Sequence, residues 1–370
     1  MGLIRALLAL SVVFTHAGGL DLVGGRNAVQ IFYMISGFLI SYVITERKSY
    51  VSVGEFYISR YARLWPQYFI VAAITLAIFY FVRPIEARLF FKAFEYLDIV
   101  PACFLAFSNA FLVGQDWMMF AEITMGDFVF SSDFHKATLP AYLGLLTPQS
   151  WTLGVELTFY AIAPFVLPRR WLMLVLVGLS VAIRIVLVRA GVGMTDPWTY
   201  RFFPAELLFF LIGSLVQQLG LKRYQAMVSP FYDIGVTMLL TGLIVGYALI
   251  PAHELLKSAA LMGCFAIALP ALFRFQHGRK WDVLIGNLSY PIYINHILII
   301  TVLHAVGMHS GGALFAIVAA IFSVIIALAM NSFIASPVDN WRKHLRRRSE
   351  PVGALDARPE FTGLRDGQAG

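Results

Sequence analysis

The chain has 370 residues, of which 59% are hydrophobic, 15% aromatic and only 13% charged, and its formal net charge is +7. Soluble domains carry about 25% charged residues, so this composition cannot cover a water-facing surface, and its apolar content equally excludes a disordered chain. An integral membrane protein remains, in which excess Lys and Arg belong to cytoplasmic loops and do not point to nucleic acid.

A spanning helix needs about 20 largely apolar residues. In chain order ten segments qualify or nearly so: 3–20, 28–45, 64–82, 151–167, 171–188, 202–219, 230–250, 258–275, 283–303 and 312–334. The first is open to a second reading as a secretory signal, with Arg5 as its charged start and Ala17-Gly18-Gly19 as a cleavable end. Because another span follows at once, we expect an uncleaved helix. A weaker stretch, 97–113, lies inside a polar excursion from 83 to 150. If it crossed alone, every later basic cluster would change sides. It is therefore expected to be re-entrant or half-buried, with Asp116, Glu122, Asp127 and Asp133 facing outward.

With the N-terminus inside and ten crossings, nineteen of the 28 Lys and Arg residues collect on the cytoplasmic side. The expected fold is an all-α integral membrane protein, a bundle of about ten transmembrane helices over 1–340 with both termini cytoplasmic. A basic, disordered cytoplasmic tail is expected at 341–370, too short to fold alone. Cys103 and Cys264 lie in apolar runs without metal or redox spacing and read as buried thiols.

Ionisable groups inside spans face cavities or partners and are functional candidates. Arg5 and His16 stand eleven residues apart on one helix, so they share a face to within about 20° and lie about 16 Å apart along the axis. Histidine titrates near working pH and is the usual general base; a hydrogen-bonded packing histidine is the alternative. Glu156, five residues after Trp151, lies about 7 Å below the outer surface. It is open to orienting His16, pairing with a cation or snorkelling outward.

Arg60 and Arg63, at i and i+3, share a face just before the third span. Two guanidinium forks suit a diphosphate or other polyanion, or else anchor the helix at the inner interface. His296, flanked by Tyr290, Tyr293 and Asn295, reads as a substrate ligand or a core histidine. Ser36-Gly37 reads as a nucleophile or as a close helix contact. Arg184 and Glu206 are expected to form a structural ion pair, and His135, His253 and His304 to sit at the outer surface. The sequence has no Gly-x-Ser-x-Gly elbow, Walker loop, Rossmann fingerprint, His-Glu-x-x-His pair or zinc spacing, and no metal is expected.

Several short motifs occur in a fixed order. They are Arg5-Ala-Leu with Val13-Phe14-Thr15-His16, Val29-Gln30-Ile31-Phe32-Tyr33-Met34-Ile35-Ser36-Gly37-Phe38, and Phe56-Tyr57-Ile58-Ser59-Arg60-Tyr61-Ala62-Arg63-Leu64-Trp65-Pro66. Next come Trp151-Thr152-Leu153-Gly154-Val155-Glu156 with Phe159-Tyr160 and Pro164, Arg201-Phe202-Phe203 with Gly213, and Leu288-Ser289-Tyr290 with Tyr293 and His296. Together, across residues 1–340, this set resembles the acyltransferase-3 family of bacterial membrane O-acyltransferases.

The resemblance implies a ten-helix, multi-pass enzyme of the bacterial inner membrane. Such an enzyme moves an acyl group, acetyl foremost, from cytoplasmic acetyl-CoA or another acyl-CoA to a hydroxyl of an extracytoplasmic glycan or lipid-linked sugar. It implies that His16 is the catalytic histidine with Arg5 as companion and Glu156 beside them, and that Arg60 and Arg63 engage CoA. Trp151, Arg201, His296 and Ser36 are then expected to contact substrate. The chain departs from the family at Leu157, where a second carboxylate often follows Glu156, and at Ala335-Ser336-Pro337, which lacks the usual acidic residue. With about 30 residues after the last span, no appended esterase-like domain is expected, so transfer should finish in the bundle or on a separate protein. The rival reading is a polytopic proton-coupled transporter or glycan exporter using His16, Glu156 and Arg184 as a pathway. The missing internal repeat and the lack of matched broken helices count against it.

Overall fold

The computed structural model describes residues 1–193, 195–276 and 279–347. In hydrocarbon every backbone N–H and C=O must be satisfied within its own segment, so the apolar runs form helices. The chain opens with α1 (Gly2–Ala17), α2 (Gly24–Ser41) and α3 (Val53–Phe81). The excursion contains α4 (Ile85–Glu95), α5 (Ile99–Phe111) and a hairpin of β1 (Ala121–Thr124) and β2 (Asp127–Phe130). The bundle resumes with α6 (Trp151–Val166), α7 (Arg170–Arg189), α8 (Phe203–Leu215), α9 (Leu221–Met227) and α10 (Tyr232–Gly246). It closes with α11 (Glu254–Gln276), α12 (Lys280–Ala305), α13 (Ala313–Met330) and α14 (Ser336–Arg347).

Each of the ten segments expected to span falls on a helix. Among the described residues eight helical stretches are long and apolar enough to cross a membrane, while α1 and α6 have 16 residues each. The molecule is thus an all-α multi-pass membrane protein. One end, the basic end, pairs Met1 with Asp282, Glu46 with Lys222 and Ser59 with Arg342.

At that end α2, α8 and α13 each run on through a single π-helical turn: Tyr42–Glu46, Val216–Gly220 and Asn331–Ala335. The last joins α13 to the amphipathic α14. The segment 341–347 is therefore helical, and 348–370 lies outside the described residues. Ser52 caps α3 by accepting from the Glu55 amide at 3.2 Å, while the Glu55 carboxylate accepts from the Val51 amide at 3.1 Å.

α1 packs against α12, α2 and α13. The Asp282 carboxylate, at the start of α12, accepts from the Met1 ammonium at 3.1 Å and from the Gly2 and Leu3 amides at 2.7 and 2.8 Å. It thereby serves orphan donors at the N-terminus of α1. Backbones touch here: a Cβ on Gly2 would stand 1.6 Å from the Asp282 carbonyl oxygen, and one on Gly286 2.7 Å from Gly2 Cα. α2 and α8 repeat the device, since a Cβ on Gly37 would lie 1.9 Å from the Phe210 carbonyl oxygen and one on Gly213 2.0 Å from that of Met34. Close packing therefore belongs to Gly37, and Ser36 is left to face a cavity.

The excursion is built around α5. Thirteen residues cannot cross a bilayer, and this half-buried helix ends against the flank of α3. There Trp65 Nε1 donates to the Ala110 carbonyl at 2.8 Å and Tyr68 to that of Asn109 at 2.7 Å. The β1–β2 hairpin turns at Met125 and Gly126, both at positive φ, 51° and 85°.

Two expectations are corrected here. Asp116 does not face outward: it is buried beside Gly154, where a Cβ would stand 2.5 Å from Asp116 Oδ1. Burial pushes its carboxyl up from 3.8 to about 6. Cys103 and Cys264 are exposed on the outside of α5 and α11; lipid gives an apolar thiol the same welcome as a core.

Candidate active site

A cavity of about 790 Å³, part of it open to solvent, lies among α1, α2, α3, α6 and α12. Arg5, Arg60 and Arg63 line it together with one carboxylate, Glu156. Arg60 is buried, donates through Nη2 to the Tyr50 hydroxyl at 2.9 Å, and sits 5.7 and 5.5 Å from the ring centroids of Tyr50 and Phe56. Arg5 and Arg63 are half-buried. Glu156 accepts from Ser36 Oγ at 2.7 Å and from the Tyr160 hydroxyl. The Tyr33 hydroxyl, also in the wall, is buried and has no hydrogen-bond partner among the described residues. An anion entering this cavity would meet three guanidiniums, whose forks can bind it bidentately.

Phe32, Thr152 and Tyr293 line the cavity on the side away from the basic end. The Tyr293 hydroxyl accepts from Thr152 Oγ1 and donates to the Gln149 carbonyl, both at 2.9 Å. Its ring stands 5.8 Å from that of His296, which in turn lies 4.9 Å from the ring of His16, centroid to centroid. The two imidazoles meet for a simple reason. α1 and α12 run parallel and are tied at the foot by Met1 and Asp282, so fifteen residues up one helix and fourteen up the other differ by only about 1.5 Å of rise.

Each imidazole is pinned in the same way. His16 Nδ1 donates to the Val12 carbonyl at 2.9 Å, and His296 Nδ1 to the Tyr293 carbonyl at 2.6 Å. A carbonyl only accepts, so Nδ1 carries the proton and Nε2 keeps the lone pair in both neutral rings. His296 is fully buried, and its Nε2 has no hydrogen-bond partner among the described residues. His16 is accessible. This is the arrangement of a general base, with the basic nitrogen free and the ring orientation fixed.

Beyond the imidazoles, Gln149 Nε2 donates to the Ile294 carbonyl at 2.6 Å and ties the start of α6 to α12. On that turn Trp151 lies under the Arg201 guanidinium, 4.5 Å from ring centroid to Cζ. Tyr200 and Phe134 complete the aromatic surround at 4.8 and 5.4 Å. Asp196 holds Arg201 bidentately, at 2.5 and 2.7 Å.

The structure thus sorts the expected site residues into three groups. Arg5, Arg60, Arg63, Ser36 and Glu156 share one cavity. His16 and His296 form a pair above it, and Trp151 and Arg201 stack at the far end. Glu156 is bonded to Ser36 and Tyr160 and makes no hydrogen bond to His16. Arg184 and Glu206 do pair, in a separate place. His135 and His253 are exposed, and His304 bonds Ser310 at 2.6 Å near the outer rim.

Sequence reasoning missed Tyr160 and Asp196. Tyr160 is four residues after Glu156 on α6, so the i, i+4 rule would have found it; Asp196 sits in an irregular loop with no period to read. Among the described residues no three His, Cys, Asp or Glu side chains converge in a metal-binding group.

The exopolysaccharide production protein ExoZ of Rhizobium meliloti (strain 1021) is 25% identical over 329 residues, covering 85% of this chain and 89% of that protein. The peptidoglycan O-acetyltransferase OatA of Listeria monocytogenes is 24% identical over 329 residues, 80% of this chain but only 48% of that protein. Nodulation protein 10 of Rhizobium leguminosarum bv. viciae is 26% identical over 334 residues, with 82% and 83% covered. No solved structure matches the chain. A family model described as an acyltransferase domain matches residues 1–332, most of the helical bundle, and by that match the chain belongs to the acyltransferase-3 family.

Proposed function

We propose that this membrane acyltransferase takes an acyl group, acetyl foremost, from acyl-CoA at the basic end and delivers it to a hydroxyl of a glycan or lipid-linked sugar arriving from the opposite side. The observation that carries this reading is the arginine-lined cavity that ends at Tyr293, whose ring touches the His296–His16 pair. Arg60, Arg63 and Arg5 hold the CoA phosphates, and the pantetheine arm follows the cavity toward Phe32 and Tyr293. The unpartnered Tyr33 hydroxyl supplies a hydrogen bond along the way.

His16 Nε2 takes the proton of the acceptor hydroxyl. The alkoxide oxygen forms a bond to the thioester carbonyl carbon, the C–S bond breaks, and the CoA thiolate recovers the proton from the imidazolium. Trp151 and Arg201 form the acceptor side, a flat aromatic face with a fixed cation. The basic end faces the cytoplasm of a bacterial inner membrane in this reading, which the positive-inside distribution supports. A glycan acceptor is in keeping with the names of ExoZ and OatA.

The test is transfer of label from radiolabelled acetyl-CoA to surface polysaccharide in membranes that contain the protein, with mass spectrometry of the glycan from a deletion strain. Label in the glycan, and loss of an acetyl increment in the deletion, are expected. Uptake of label without thioester turnover would overturn the reading.

A further inference from the structure

A second groove, of about 920 Å³, runs down another face of α2 between α8 and α11, with α7 at its mouth. Its polar lining, Arg26, Gln30, Arg184, Thr199 and Ser258, gathers at the end away from the basic clusters. Two helical turns further down α2, about 12 Å below Arg26, the walls become apolar with Met34, Phe209, Ile212 and Met262. The gap exists because α11 presents small residues to the bilayer. Ala259 and Gly263 are both exposed, and a Cβ on Gly263 would meet nothing within 4 Å.

The charges at the mouth do not cancel. Glu206 is fully buried and bound by Arg184 and by Gln30 Nε2, at 3.2 and 3.3 Å to its two oxygens. Arg184 also donates through Nε to the Ala205 carbonyl at 2.9 Å. Arg26 is half-buried and has no hydrogen-bond or ion-pair partner among the described residues. One carboxylate against two guanidiniums leaves a single positive charge facing a bilayer-open, apolar channel.

That combination suits an amphiphile with one negative charge and a hydrocarbon chain. A phosphodiester meets the charge count, whereas a diphosphate head would bring at least two negative charges against one. We propose that this groove is a binding site for an anionic glycerophospholipid, its phosphate on Arg26 and one acyl chain beside Gly263, in the leaflet away from the basic end. The site lies on a different face of α2 from the arginine cavity, so it stands or falls separately from the transfer activity.

The test uses the full chain in nanodiscs of equimolar phosphatidylglycerol and phosphatidylcholine, followed by native mass spectrometry of retained lipid. Wild-type protein should retain phosphatidylglycerol at least fivefold over phosphatidylcholine. Arg26→Gln should abolish that preference. Gly263→Phe, whose Cβ would have open space for 4 Å around it and whose ring would occupy the channel, should reduce retained lipid of either kind at least fivefold while leaving acyl-CoA binding unchanged. Equal retention of the two lipids by wild-type protein, or undiminished retention by Gly263→Phe, would overturn the proposal. If Arg26→Gln does not fold, the Gly263 variant and the wild-type preference decide the matter alone.

Discussion

The arginine cavity and the imidazole pair lie on neighbouring stretches of the same helices, yet they are opposites in chemistry. The cavity holds permanent charge: three guanidiniums around one carboxylate, with hydroxyls between them. The pair above it has no charged hydrogen-bond partner, only two rings pinned through Nδ1 to backbone carbonyls. Fixed charge grips an anion but cannot move a proton at neutral pH, whereas an imidazole can. The bundle thus places fixed charge and titratable rings at two depths, separated by little more than the Tyr293 and Phe32 rings.

Substitutions can break that contrast. The largest effect is expected from His16→Ala, which should lower transfer by about 10²–10⁴ while leaving the dissociation constant for acyl-CoA unchanged. Transfer at wild-type rate by this variant would remove the imidazole from the mechanism. The mirror-image change is the double variant Arg60→Ala/Arg63→Ala. Loss of charge-assisted contacts should weaken acyl-CoA binding roughly 10- to 100-fold, about 1.4–2.7 kcal/mol, with turnover at saturating donor largely retained. Normal binding, measured by calorimetry, would remove the phosphate contacts.

A finer cut is His296→Gln, which keeps a polar group beside His16 but no titratable ring. Turnover should fall about tenfold with the Michaelis constant for donor unchanged, because the His296 ring packs 4.9 Å from that of His16 and helps to set its orientation. If only the Michaelis constant rises, His296 belongs to binding instead. The smallest effect concerns the scaffold at Asp116. Its carboxyl is raised to about 6 by burial, so the stability it lends is present below pH 3.8 and is lost as pH climbs through 6. Asp116→Asn should therefore raise the unfolding temperature at about pH 8 and leave it unchanged at about pH 4, as read by thermal denaturation in detergent.

Much of the bundle was legible because a bilayer fixes the length of an apolar run, and all ten expected segments fall on helices. The shared face of Arg5 and His16 follows from helical arithmetic alone. The meeting of His16 with His296 does not, because 280 positions separate them and their relative height is set by the contacts of Met1, Gly2 and Leu3 with Asp282 and Gly286. Nor could the separation of Glu156 from His16 be read, since depth within one helix says nothing about which neighbour a side chain faces. The excursion was the least legible region. Asp116 belongs to a segment without periodicity, and it is drawn inward by a space that Gly154 leaves open on α6.

The three π turns at the basic end have a consequence for chain length. A π turn is a helix that has absorbed one residue too many, and each residue in a helix advances the following face by about 100°. Because the wide turn takes up that extra residue, deleting one from Asn331–Ala335 would close it to an ordinary α-helical turn and leave α14 facing as it does, with Arg342 still within reach of the Ser59 hydroxyl, which it meets at 3.2 Å. A deletion of the same size inside α13 would instead turn everything beyond it by about 100°. At these three places the chain can lose a residue without changing which face the segment beyond the span presents.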